Sequence, residues 1–248
     1  MNLILFEPHE INADWTVHLD DRRSRHIIDV LGSQPGERLK AGIVNGPIGS
    51  AEIISITKVR KTAAVILRFS AEEPVPQAPF CDLIVALPRP IMLKRILAQA
   101  AELGVRKIFL INANRVEKSF FQANLLKKEK YRQFLLHGLE QAKDTLMPEV
   151  SVHKRFRPFV EDFIPTIAKT YSRMLVAHPE AGEDLKQVVG TEISGRTLLA
   201  VGPEGGWVDF EIEKFFEQSF VPVSMGRRIL RTDTAIVALL AQLMLLKG

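Results

Sequence analysis

The chain has one cysteine, Cys81, in 248 residues, so it can form no internal disulfide and fits a reducing compartment. Phe80 and Leu83 beside it mark the thiol as buried rather than catalytic. Long apolar runs are missing too. The longest, Ala235 to Leu246, is broken by Gln242 and falls well short of a membrane span. The opening MNLILFEPHE is too brief in its apolar run, and too soon acidic, for a secretion signal. These absences predict a soluble, cytoplasmic protein. Several familiar sites are absent as well: no Gly-x-Gly-x-x-Gly follows a strand, and there is no Gly-Lys-Ser/Thr phosphate loop and no nucleophile elbow. His9, His18, His26, His137, His153 and His178 are scattered, without metal-ligand spacing beside a carboxylate, so no metal is expected. No internal repeat or low-complexity segment is visible.

What is present is enough apolar content, 46%, to build a real core. Three prolines between Glu72 and Pro79 read as a linker. Before it lie short β-rich runs (Thr16–Leu19, Arg38–Val44, Ser50–Ile56, Ala63–Phe69), separated by turn signals such as Asn45-Gly46-Pro47. They predict a small barrel or compact sheet, with one short helix over Arg22–Val30 that turns Ile27, Val30 and Leu31 inward. After the linker, strands and helices alternate. Asp82–Leu87 is an apolar strand. Pro90 opens a helix with an inward stripe of Leu93, Ile96, Leu97 and Ala100, and Gly104 closes it. Val105–Ile111 is the next strand and Leu125–Lys143 a long amphipathic helix. Strands at Val150–Val152, Met174–Ala177, Leu198–Val201 and Val221–Val223 follow, with helices over Asp209–Gln218 and Thr234–Leu246. The expected fold is α/β: a small N-terminal β domain (1–72), a linker (73–79) and a C-terminal domain (80–248) built on a mostly parallel sheet.

Charge is unevenly spread. Arg89 to Arg132 holds eleven basic side chains against three acids, whereas the first seventy-two residues hold nine of each. The basic excess favours phosphate contact, driven by release of counterions from RNA, over a merely solvated face.

Two glycine-bearing stretches each follow a strand-like run: Gly202-Pro203-Glu204-Gly205-Gly206-Trp207 and Met225-Gly226-Arg227-Arg228-Ile229-Leu230-Arg231-Thr232. Loops at the C-terminal ends of parallel strands form the crevice where open α/β sheets bind ligands, and glycine admits a ligand close to the backbone. Each residue also has a structural reading. Glu204 can cap the helix starting near Asp209, Arg231 can pair with Asp233 or Glu204, Trp207 can be a packed aromatic, and Phe120-Phe121 can be core or stacking.

The paired motifs GPEGGW and MGRRILRTDTA resemble the signature of the SPOUT methyltransferases, specifically the RsmE-type enzymes that methylate N3 of a uridine in 16S ribosomal RNA. Lys94–Val105, the Glu140-Gln141 pair and the Arg25–Glu37 region extend the resemblance over nearly the whole chain. It implies a deep trefoil knot in the C-terminal domain, a PUA-like N-terminal domain and a homodimer with the Thr234–Leu246 helix at its interface. S-adenosyl-L-methionine would sit among Leu175, His178, Val201, Gly202, Pro203, Glu204, Gly205, Gly206, Met225, Gly226, Ile229, Leu230, Arg231, Thr232 and Ala235. Arg231 would be the cation at the reacting uridine and Glu204 a base or positioning group. Arg22, Arg23, Arg25, Arg89, Lys94, Arg115 and Arg228 would meet RNA, with 16S rRNA or the small ribosomal subunit as partner. The sequence departs from the family pattern at Gly32 and Lys143, where relatives carry arginine. Two other readings fit the same residues: a SPOUT enzyme acting on another RNA, and a catalytically silent RNA-binding assembly factor.

Overall fold

The computed structural model describes residues 2–59 and 62–247. Arg60 and Lys61, counted above among the basic residues of the N-terminal stretch, lie outside them. The chain divides into two compact units, one formed by Met1–Ala78 with Leu136–Met147 and the other by Pro79–Leu135 with Pro148–Gly248. The chain passes between the two units at Ala78–Pro79, within the proline-rich segment. The domain expectation placed 136–147 in the C-terminal domain, and the structure groups that segment with the first unit.

The first unit holds β1 (Ile4–Phe6), β2 (Thr16–Leu19), α1 (Arg22–Arg25), β3 (Arg38–Ile43), β4 (Ile48–Val59) and β5 (Thr62–Glu73). They make one five-stranded sheet in the order β1-β3-β4-β5-β2. β1 runs parallel to β3, and the other pairings are antiparallel. Period-two alternation builds the core: Val65, Leu67 and Phe69 are buried while Ile66 between them is exposed. Phe6 and Phe69 meet edge to face at 5.9 Å. β1 is only three residues long, too short for the run Leu3–Phe6 to show a strand's alternation, and it gains its place by pairing with β3. The short helix also differs from expectation. After α1 the chain winds into a wider π turn over His26–Val30, which carries an extra residue. Ile27 points inward, but Val30 is 70% and Leu31 46% exposed.

The 136–147 segment is held by specific bonds within this unit. Arg22 makes a two-pronged pair with buried Glu140, at 2.5 and 3.1 Å. The Thr145 hydroxyl donates to the Gly46 carbonyl at 2.7 Å, and the Met147 N–H donates to the Asn45 side-chain oxygen at 2.9 Å. A Cβ on Gly42 would come within 2.6 Å of the Thr145 methyl, so that strand position must be glycine.

The second unit contains β6 (Cys81–Ala86), α2 (Pro90–Glu102), β7 (Val105–Ile111), α3 (Lys128–Ala142, whose last residues count with the first unit), β8 (Glu149–His153), α4 (Ile164–Ile167), β9 (Arg173–Ala177), α5 (Leu185–Val189), β10 (Thr197–Val201), α6 (Asp209–Glu217), β11 (Val221–Val223) and α7 (Thr232–Leu246). Its six strands are all parallel, in the order β11-β9-β10-β6-β7-β8. β6 and β10 are buried at every position, as expected of strands covered on both faces. Leu93, Ile96, Leu97 and Ala100 form the buried stripe of α2, and Gly104 follows it at φ +65°. Asp82, fully buried at the start of β6, gathers Arg106, Arg196, Tyr171 and the Lys107 N–H. This ionic hub lies at the N-terminal end of the strands, leaving the C-terminal ends for loops. Among the described residues no helix is long and apolar enough to cross a membrane.

Candidate functional site

β9, β10 and β11 lie side by side in the sheet, so the loops leaving their C-terminal ends converge. They enclose a cleft of about 300 Å³. The His178 N–H donates to the Val223 carbonyl at 3.0 Å, tying the end of β9 to that of β11. The loop after β10 closes as a tight turn in which the Gly206 N–H meets the Pro203 carbonyl at 2.8 Å, with Gly206 at φ +77°. The buried Thr232 hydroxyl donates to the Gly202 carbonyl at 3.4 Å, joining the two glycine-bearing loops directly.

Thirteen of the fifteen residues expected around the cofactor line this cleft: His178, Val201 to Gly206, Met225, Gly226, Ile229, Leu230, Thr232 and Ala235. Two do not. Leu175 is wholly buried within the sheet, paired with Leu199 and Val221, two residues short of the end of β9. Ala177, His178 and Pro179 hold the lining positions instead. Arg231 serves through its backbone: it sits in extended conformation ahead of α7, and its carbonyl accepts the Ala235 N–H at 2.8 Å. Its side chain is exposed and does not line the cleft, whereas that of Arg228 does. Trp207, Val223, Ser224 and Leu239 also line it, unforeseen. Leu239 was legible in principle, because Thr232, Ala235 and Leu239 share one face of α7 at helical spacing.

The glycines act differently from one another. A Cβ on Gly202 would meet the Trp207 indole at 3.1 Å, and one on Gly205 would meet Arg115 Cδ at 2.9 Å. Gly226, at φ +88°, faces open space within 4 Å. Trp207 is a packed aromatic, 6% exposed and edge-on to Phe215 at 5.0 Å. The helix-capping role considered for Glu204 belongs to Glu211, which accepts the Val208 N–H at 3.0 Å and the Asn114 N–H at 2.7 Å. Glu204 faces Arg89 at 3.7 Å, and Asp233 faces Arg95 at 3.9 Å.

The cleft lining is mostly apolar, and only His178, Glu204 and Arg228 in it are ionisable. Such a surface suits a flat heterocycle, with backbone groups free to read its polar edge and the few charges placed for a charged tail.

The side chains expected to meet RNA are scattered. Arg23 is 8% exposed, and its guanidinium is consumed by Glu10, Asp21 and the Leu5 carbonyl, so it is a structural group rather than a phosphate ligand. Arg22 is committed to Glu140, and Arg25 is exposed. Arg89 and Arg115 brace the loop after β10, Arg115 by donating to the Gly205 carbonyl. Lys94 lies over the Phe134 ring at 5.6 Å.

A parallel α/β domain with its cleft at the strand ends defines a class, and residues 76–244 match the model of the RNA methyltransferase domain family. The chain is 34% identical over 241 residues to the ribosomal RNA small subunit methyltransferase E of Treponema pallidum, covering 96% of this chain and 88% of that one. A protein of the same name, numbered 1, from Borreliella burgdorferi is 24% identical over 238 residues, covering 96% and 95%. Among solved structures, the ribosomal RNA small subunit methyltransferase E of Neisseria gonorrhoeae, bound to S-adenosyl methionine, shares the fold with a TM-score of 0.77 at 23% identity, over 100% of this chain and 98% of that one. The chain belongs to the RNA methyltransferase domain family and, within it, to the ribosomal RNA small subunit methyltransferase E group.

Proposed function

We propose that the protein transfers a methyl group from S-adenosyl-L-methionine to N3 of a uridine in 16S ribosomal RNA. One observation carries the reading: the loops 202–206 and 225–232 meet in a single cleft, joined by the Thr232–Gly202 hydrogen bond. The residues present fit the cofactor. Val201, Val223, Ile229, Leu230 and Leu239 offer apolar walls to adenine, and Gly226 leaves room for close approach. Glu204 offers a negative charge to the ammonium of its amino-acid tail. The bound cofactor supplies an electrophilic methyl group, so the protein has chiefly to align acceptor and donor.

Uridine N3 attacks only as its proton passes to solvent water, and a cation stabilises the negative charge that develops on the base. In this reading Arg228, which lines the cleft, takes the role first assigned to Arg231. Glu204, held by Arg89, positions its loop. The same proposal includes the trefoil knot, the PUA-like character of the N-terminal domain, a cytoplasmic setting and a homodimer. For the last, Met244 and Leu245 on α7 are 47% and 82% exposed and offer an apolar face.

Nucleoside mass spectrometry of 16S rRNA from cells with and without the gene tests the proposal. N3-methyluridine should vanish in the deletion and return with the wild-type gene. With Arg228→Ala it should stay low while the purified variant still binds the cofactor. An unchanged N3-methyluridine level in the deletion would overturn the assignment.

A further inference from the structure

A second cleft, of about 700 Å³, opens where the chain leaves β7 and β8 and enters α6. It shares a wall with the first: Trp207 lines one and Val208 the other, and the Phe156 ring at the back of the second lies 6.3 Å from the Trp207 ring. Three cations line it, Lys118, Arg155 and Arg157, against one acid, Glu211. Both oxygens of Glu211 already accept backbone N–H groups. Arg157 is paired with Glu161 at 3.2 Å, and Lys118 and Arg155 have no ion pair among the described residues. The cleft is therefore electropositive with two uncommitted cations.

Two further features select the ligand. Phe210 lines the cleft with 42% of its surface exposed, and the Arg157 guanidinium and Lys214 ammonium lie 5.7 and 5.8 Å from its ring centre. Asn112, also in the lining, has a buried side-chain oxygen with no hydrogen-bond partner among the described residues. A buried acceptor without a donor is costly unless a ligand completes it. Cations for phosphate, a part-exposed aromatic ring and an acceptor for a base N–H are the components of a single-stranded nucleotide site. Duplex RNA would not present an unstacked base, and inorganic phosphate would leave the ring and amide unused.

We infer that this cleft holds a nucleotide of single-stranded RNA next to the one being methylated, its phosphate on Lys118 and Arg155, its base on Phe210 and an N–H of that base on Asn112. The inference rests on the proposed RNA substrate and adds the path of the strand. It also gives a purpose to the shared wall, since neighbouring nucleotides would occupy neighbouring clefts.

Fluorescence anisotropy with a short labelled single-stranded oligouridine, titrated at several salt concentrations, tests it. The double variant Lys118→Gln/Arg155→Gln should bind more weakly, with the slope of log affinity on log salt reduced by about 1.4, roughly 0.7 for each lost contact. Phe210→Ala should weaken binding about tenfold without changing that slope, and Phe210→Tyr should restore it. Lys118 and Arg155 are exposed, so the double variant should keep the wild-type thermal midpoint. Phe210→Ala, which loses contacts with Phe156, Arg157 and Lys214, should lower it slightly, and the cofactor affinity by calorimetry should remain that of the wild type in both. Wild-type affinity and slope in both the double variant and Phe210→Ala would overturn the inference while leaving the methylation reading intact. A wild-type protein that binds this RNA through these residues but modifies no uridine would instead overturn the methylation reading and leave the cleft assignment standing.

Discussion

A Cβ placed on Gly202 would lie 3.1 Å from two atoms of the Trp207 indole, closer than most packed side chains tolerate. The ring cannot easily retreat, because Phe215 stands edge-on at 5.0 Å and Phe156 lies tilted at 6.3 Å. Gly202→Ala should therefore cost about 1–3 kcal/mol as an overpacking change. Because Trp207 also lines the first cleft, ligand affinity should fall with stability. Urea unfolding and a calorimetric titration with S-adenosyl-L-methionine measure the two effects, and Trp207→Phe in the same chain should relieve both in part. Wild-type stability in the single variant would show that the ring has room. The glycine motif was legible in the sequence as a place where the backbone must be bare, but not the reason for each residue. Gly202 makes room for an indole, Gly205 for the Arg115 side chain, and Gly226 alone opens onto free space. Arg23 shows the same limit from the other side: an arginine that the family resemblance offers to RNA proves structural once Glu10, Asp21 and the Leu5 carbonyl are seen to surround it.

At the level of elements, regular pattern was readable wherever burial imposed it. The stripe of α2 and the apolar runs within the fully buried β6 and β10 follow from periodicity and length alone. What failed was short or irregular: three-residue β1, whose partner β3 lies over thirty residues away, and the π turn over His26–Val30, which shifts the facing of Val30. The start of α6 at Asp209 was legible, but not the acid that serves it, since both Glu204 and Glu211 lie near it in sequence. The structure gives the task to Glu211, 2% exposed, which joins the first turn of α6 to the loop after β7 through the Val208 and Asn114 N–H groups. Removing that carboxylate in Glu211→Ala leaves two donors without their acceptor and should destabilise the protein by about 1–3 kcal/mol. Hydrogen exchange should speed at Val208 and Asn114 together, and Glu204→Ala should leave both protected. Unaltered exchange in Glu211→Ala would show that the carboxylate is not what holds that corner.

For the whole molecule, the sequence carries a marker for the proline-rich crossing near Ala78 but none for the return of Leu136–Met147 to the first unit. That return depends on Arg22–Glu140 and Thr145–Gly46, pairs separated by about a hundred residues, which no local pattern encodes. The titratable groups of each unit make its response to acid predictable. In the second unit, burial holds His153 below the ordinary histidine value of 6.5, with Phe159 and Phe163 rings 4.6 and 4.9 Å away. A depressed histidine is neutral in the fold, so its contribution is complete above 6.5 and is lost as pH falls through the folded value. In the first unit, burial favours the neutral form of Glu10, but hydrogen bonds from Arg23 and the Glu7 N–H, with the Arg23 charge, outweigh it and hold the carboxyl below 4.5. That contribution is complete above 4.5 and is lost only in stronger acid. The chain has two tryptophans, Trp15 in the first unit and Trp207 in the second, so fluorescence of Trp207→Phe and Trp15→Phe reports the units separately. On lowering pH from about 7 to 5, the urea midpoint reported by Trp207 should fall. The midpoint reported by Trp15 should fall too, because burial and the Arg22 charge hold His137 of that unit below 6.5, with the Glu10 contribution declining only further down. His153→Phe removes the titrating ring from its aromatic surroundings and should flatten the earlier decline. A Trp207 midpoint that drops as steeply in His153→Phe as in the wild type would place the sensitive group elsewhere in that unit.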